Sequence, residues 1–198
     1  DAPLCSTSAN GLRNLLIGED PRDIGRLWDK MYSKTATYGR RGALVHAMSG
    51  IDIALWDILG QAAGLPIHRL LGGARRAAVK AYASDLSQET LDDTLAQARQ
   101  HRDNGYLAMK FGWGVLGQNP HGDAKAAAAI RAAVGDDIDI MFDIGVPLPL
   151  NDALYLGNAF ADSGVAFLEE PLAPDDLRGF ATLVAASRTP IATGEKES

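Results

Sequence analysis

The chain has 198 residues, a single cysteine (Cys5) and a formal net charge of −6. That length can bury one or two cores, the negative balance argues against nucleic acid or an anionic membrane surface as partner, and a lone cysteine excludes an internal disulfide and fits a reducing, cytoplasmic location. Hydrophobic residues make up 46%, yet charges interrupt the longer apolar runs, so no membrane span is expected.

Residues 1–76 read as helical. Asp20 is placed to cap a helix that Pro21 starts, with Ile24, Leu27, Trp28 and Met31 at helical spacing. A polar connection, Thr35–Gly42, leads to a long helix over Ala43–Ala63, ended by Gly64 and Pro66. From residue 77 onward the pattern alternates. Strands are predicted at Val79–Ser84, Tyr106–Phe111, Ile138–Asp143, Val165–Glu169 and Pro190–Thr193. Helices are predicted at Gln88–Asp103, Asp123–Val134, Asn151–Ser163 and Asp175–Ser187. Five strands alternating with four helices imply a parallel sheet with right-handed crossovers. No phosphate-cradling glycine motif follows the first strand, so a dinucleotide site has no support. The chain starts at Asp1 and stops at Ser198 just past a strand, as expected of a piece of a longer polypeptide.

Asp143, Glu169 and Glu195 recur at an even interval of 26 positions, each closing a short apolar run. One βαβ unit fills about that length. The spacing therefore predicts one carboxylate at the same end of three successive strands. Converging carboxylates repel one another unless a cation lies between them, and several hard oxygen ligands suit Mg²⁺. A barrel gathers strand ends around one axis, whereas an open sheet leaves them in a row. The acids thus favour the first five strands of a TIM-like (β/α) barrel.

Single residues invite plainer readings. Each acid alone could be a helix cap or a surface charge. Glu170 reads as support behind the three acids or as a salt-bridge partner, Lys110 as a site lysine at the acidic rim, and Trp113 as a lid or as loop packing. Asp52 and Asp57 lie about 140° apart around one helix and cannot share an ion. His46 reads as a core or interface residue, His101 as helix surface and His121 as loop. The arginines of Tyr38–Arg41 are expected to pair with acids at a domain or subunit boundary.

GIDIALWDILGQAAGLPIHRLLGG (50–73), KFGWG (110–114), FD (142–143), FLEEP (167–171) and ATGE (192–195) together resemble the enolase superfamily, in its mandelate racemase-like branch. The resemblance implies an α+β capping domain, of which residues 1–76 match the helical part, followed by a modified barrel, of which residues 77–198 match the first five strands. It implies Mg²⁺ held by Asp143, Glu169 and Glu195, and removal of a proton α to a carboxylate, with the metal offsetting the added charge. The second lysine of a common Lys-x-Lys pair is absent: Lys110 is followed by Gly112. Lys110 is left to bind the substrate carboxylate or, with a depressed pKa, to act as base. Asp143-Ile144-Gly145 lacks the asparagine of a common Asp-x-Asn. The expected activity is dehydration of a sugar acid or related hydroxy-carboxylate, with a racemase, epimerase or cycloisomerase as alternative. An inactive barrel fragment is the alternative of a different class. The expected partner is a small carboxylate, and the resemblance implies a homo-oligomer.

Overall fold

A computed structural model describes residues 11–37 and 39–196, so Cys5 and Tyr38 lie outside the described residues. The described residues divide into two compact units, one up to residue 77 and one from residue 78 onward.

The first unit is helical: α1 (residues 11–16), α2 (Ile24–Thr35), α3 (Ala43–Ala63) and α4 (Ile67–Leu70). Leu12, Met31 and Met48 form one buried cluster, and Ile24, Leu27 and Leu55 a second. Leu16 and Ile51 pack against both, which joins three helices into one core. α2 starts three residues later than the sequence implies. Asp20 does not cap it; its carboxylate accepts from the Arg22 backbone and guanidinium and holds the turn ahead of the helix. Those bonds depress its pKa to about 2. α3 ends as predicted, at Gly64 with φ 64°, a left-handed cap that glycine adopts without strain.

One expectation fails in this unit, and so does the core half of another. α3 is long and apolar enough to cross a membrane by length and composition, although the sequence reading found no such stretch. Asp52 and Asp57 are the two charges in its 21 residues, which leaves the segment apolar on average. Here α3 packs through Met48 and Leu55, and most of its other residues are exposed or half-buried. His46 is exposed, because it falls on the face of α3 opposite Met48 and Leu55.

The second unit alternates β1 (Ala83–Leu86), α5 (Leu91–Asp103), β2 (Ala108–Gly112), α6 (Pro120–Val134), β3 (Asp139–Asp143), α7 (Leu150–Asp162), β4 (Val165–Glu169), α8 (Leu177–Ala186) and β5 (Ile191–Ala192). The five strands are parallel and lie in sequence order. A doubly wound sheet reverses its order at a switch point and carries helices on both faces. Here the order never reverses, and one cluster joins the helices to a single sheet face. That face carries Ala83, Met109, Phe111, Ile140, Phe142 and Leu168. Phe142 ties the layers together, 6.3 Å from the Phe111 ring centroid on β2 and 4.7 Å from Phe160 on α7. The arrangement is the wall of a β/α barrel.

Thr90, Asn119 and Asp176 cap α5, α6 and α8 by accepting from backbone N–H groups. β1 lies further along the chain than predicted. Residues 79–82 carry the same alternation but have no partner strand; pairing begins at Ala83 opposite Met109.

Candidate active site

Side chains of residues paired across a parallel sheet point to the same face. Gly112, Asp143, Glu169 and Ala192 are in register across β2 to β5. Asp143 and Glu169 therefore stand side by side at the C-terminal ends of their strands, on the face away from the helices. Glu195 is not in register with them. It lies three residues past β5, in a loop. The even sequence interval hides this difference, because the connection through α8 delivers the short β5 earlier in its repeat.

The loop nevertheless brings the third acid in. One carboxylate oxygen from each of Asp143, Glu169 and Glu195 lies within 4.8 Å of the others. Asp143 is buried, Glu169 half-buried and Glu195 exposed. Asp143 Oδ1 is buried without a hydrogen-bond partner, an arrangement that costs free energy unless something fills it. The three carboxylates form an all-oxygen donor set of the kind that would hold a hard divalent cation such as Mg²⁺.

Lys110, one residue pair earlier on β2, reaches the same place. Its Nζ donates to Glu169 Oε2 at 2.7 Å and lies 3.6 Å from Asp143 Oδ2. It also lies 5.8 Å from the Tyr82 ring centroid. Burial pulls its pKa down, but the hydrogen bond and charge of Glu169, with Tyr82 and Asp143, outweigh burial and raise it above the ordinary lysine value. With no cation between them, these carboxylates favour the protonated ammonium.

Gly112 leaves space beside Asp143: a Cβ there would lie 3.2 Å from Asp143 Cβ. A cavity of about 260 Å³ opens at this point, lined by Ser84, Leu86, Lys110, Gly112, Trp113 and Asp143 among others. Trp113 has φ 59°, a strained conformation for a bulky residue. Its indole packs on the backbone of Gly145, where a Cβ would come within 2.9 Å of the ring. Glycine at 145 thus makes room for the wall of the cavity. Trp113 is both loop packing and partly exposed rim, 46% accessible.

The other singled-out residues lie elsewhere. Asp57 bonds Gln61 on α3. His101 bonds Asp85 at 2.6 Å on the helix-covered side of β1, and is more buried than a surface position implies. His121 belongs to the first turn of α6, not to a loop, and packs on Tyr155. Glu170, read from sequence as support behind the three acids or as a salt-bridge partner, has its main contacts in the loop that carries Glu195, partners that its place in the sequence does not name. It is 1% exposed and accepts from the 193–195 loop. Its one sequence signal is the doubled acid before Pro171.

The comparisons agree with this architecture. The Enolase C-terminal domain-like family matches residues 93–198, and the N-terminal domain family of mandelate racemase / muconate lactonizing enzyme matches residues 4–72. D-galactarolactone cycloisomerase of Agrobacterium fabrum is 37% identical over 91% of this chain and 48% of its own length. L-talarate/galactarate dehydratase of Salmonella typhimurium is 37% identical over 94% of this chain and 47% of its own. The crystal structure of the 3,6-anhydro-D-galactonate cycloisomerase from Zobellia galactanivorans matches with a TM-score of 0.92 and 30% identity, over 98% of this chain and 54% of that one. The chain spans about half the length of the curated relatives it matches. The chain belongs to the enolase superfamily, in its mandelate racemase and muconate lactonizing enzyme branch.

Proposed function

We propose that the chain forms the metal-holding half of an enzyme that removes a proton α to the carboxylate of a sugar acid, and that the reaction is a dehydration. The observation that carries this reading is the meeting of Asp143, Glu169 and Glu195 at one rim with Lys110 beside them. The three acids would hold Mg²⁺. A divalent cation there supplies positive charge to the substrate carboxylate, which acidifies the adjacent C–H. In this reading residues 1–76 are the helical part of a capping domain and 77–198 the first part of the barrel domain. The substrate partner is a small hydroxy-carboxylate.

Lys110 is placed to bind the substrate carboxylate, or to assist proton removal once a cation offsets the charges of Asp143 and Glu169. As an ammonium it offers its N–H donors and positive charge to a carboxylate oxygen of the substrate, which lowers the cost of placing a second negative charge on that group. In the absence of a metal the same charge offsets the repulsion between Asp143 and Glu169. The cavity beside Gly112 takes the hydroxyl-bearing end of the substrate, with Ser84 on its polar wall and Trp113 limiting water access. Elimination then passes the α proton to a general base, which the part of the enzyme outside residues 1–198 would supply; the C–H electron pair forms the C=C bond of an enol as the β C–O bond breaks, and the departing hydroxyl takes up a proton and leaves as water. The enol tautomerises to a 2-keto acid.

Cycloisomerisation is a second reading, because two of the relatives above carry that name. It begins with the same proton removal and differs in the group that leaves.

The test is thermal unfolding with and without Mg²⁺, followed by incubation with a panel of aldonic and aldaric acids. Saturation at a hundred times the dissociation constant should add about 2.7 kcal/mol to stability. Glu169→Gln should remove that gain. A Mg²⁺ response that survives Glu169→Gln defeats the metal reading. Appearance of a 2-keto acid lighter than its parent acid by one water supports dehydration; when the corresponding lactones are supplied instead, an open-chain product of unchanged mass supports cycloisomerisation.

A further inference from the structure

Glu195 has an anchoring problem that Asp143 and Glu169 do not share. Those two are fixed by ladder pairing at the ends of β3 and β4. Glu195 extends from an exposed loop after a strand of two residues. Gly194 has φ 121° and no atom within 4 Å of where a Cβ would be, so packing does not hold the loop from that side.

What does hold it is Glu170. Its Oε1 accepts three hydrogen bonds from consecutive residues: Thr193 Oγ1 at 3.1 Å, Gly194 N at 2.8 Å and Glu195 N at 3.3 Å. No other hydrogen bond reaches Thr193, Gly194 or Glu195 among the described residues. Glu170 itself is only 1% exposed, and its φ of 48° is one that a non-glycine residue adopts only when its surroundings impose it. Its backbone N–H donates to Ala192 O at 3.0 Å, so main chain and side chain both grip the end of β5. Its second oxygen, Oε2, is buried without a hydrogen bond; Lys196 Nζ stands 3.9 Å away and donates instead to Gly145 O. A buried carboxylate spent on three neighbouring donors is a costly device for an ordinary turn.

We infer that Glu170 is the positioning residue for the third acid, its buried carboxylate gripping the 193–195 loop so that Glu195 faces Asp143 and Glu169. It contacts no substrate or cation and acts through Glu195. The inference rests on reading the three acids as a divalent-cation site, but the grip itself is independent of any cation.

The experiment therefore has two arms on this chain. In metal-free protein, amide hydrogen exchange at Gly194 and Glu195 should speed up at least tenfold in Glu170→Ala, with exchange in β3 and α7 unchanged. In a calorimetric titration with Mg²⁺, Glu170→Ala should weaken binding at least tenfold, and so should Glu195→Ala. The double variant should bind no more weakly than Glu195→Ala alone, because a residue that acts only through Glu195 has nothing left to position. Glu170→Gln keeps an acceptor oxygen and should recover most of the affinity. Thr193→Val removes one donor without touching the buried carboxylate, and should give a smaller loosening if Glu170→Ala does not fold. Unchanged exchange in these variants overturns the grip. Faster exchange with undiminished Mg²⁺ affinity overturns the positioning role. Absence of Mg²⁺ binding in the unaltered chain defeats the metal reading, and the positioning role with it, while the exchange arm still decides the grip.

Discussion

At the end of the sheet where strands begin, Arg131 from α6 donates to four backbone carbonyls, those of Gly135, Ile138, Ser163 and Gly164, at 2.7 to 3.0 Å. At the end where strands finish, three carboxylates crowd together with one lysine between two of them. Both ends use buried or half-buried charge. The first spreads one positive charge over neutral acceptors that already belong to the αβ turns, so each acceptor is satisfied and the charge needs no ion pair. The second leaves an excess of negative charge and carries three of the four unpartnered buried polar atoms among the described residues: Ser87 Oγ, Asp143 Oδ1 and Glu170 Oε2. The non-glycine residues with positive φ, Trp113 and Glu170, are also there. The contrast teaches which end was shaped for stability and which for a task, since unmet charge and strain persist where function requires them.

Breaking the lower rim should have the largest effect of the variants that sharpen this contrast. Arg131→Met removes the donors of four carbonyls while keeping most of the stem, and should cost about 2–3 kcal/mol in urea unfolding. It should leave the Mg²⁺ response unchanged. A shift in Mg²⁺ affinity on that substitution would mean that the two rims are coupled.

A smaller effect is expected from Lys110→Met at the upper rim. Without metal it should cost about 1–2 kcal/mol, because Asp143 and Glu169 lose the charge between them. The raised pKa of Lys110 means that its stabilisation is fully present below the unfolded lysine value and is lost only as pH rises through the higher folded one. The difference between variant and parent should therefore stay flat from about pH 6 to 9. Mg²⁺ should restore more stability to the variant than to the parent. An equal restoration would separate Lys110 from the cation site.

The smallest effect concerns Asp123, a buried acid on α6 whose Oδ2 accepts from Gly117 N at 2.9 Å. Burial raises its pKa more than that bond lowers it. Its charge therefore costs stability that is absent below the unfolded value and sets in as pH rises through the folded one. Asp123→Asn keeps an acceptor for Gly117. It should be more stable than the parent at pH 7 by less than about 1 kcal/mol, with the difference vanishing near pH 4. A variant less stable at pH 7 would show that the negative charge itself holds the loop before α6.

Some of this was legible without coordinates. β4 at Val165–Glu169 and α3 at Ala43–Ala63 fall where periodicity and the Gly64 stop place them. Such signals are local: a buried strand is a short apolar run, and a left-handed glycine ends a helix. β1 was misplaced because residues 79–82 and 83–86 look alike one at a time, and only the extent of β2 decides which of them pairs. His46 lies outside the core and His101 is more buried than a helix surface for a similar reason. A helix face is named buried or exposed by what packs on it, and the neighbour lies far away in sequence.

Composition, turn signals and an even recurrence of three acids determined the class of fold and the three residues to watch, because those features follow from short-range geometry and chain length. Only the tertiary structure decided how the acids meet. Asp143 and Glu169 arrive by strand register, whereas Glu195 arrives on a loop that a buried Glu170 holds across 25 residues of chain. Register and buried hydrogen bonds are contacts between distant segments, and their energies do not exist until the chain has closed.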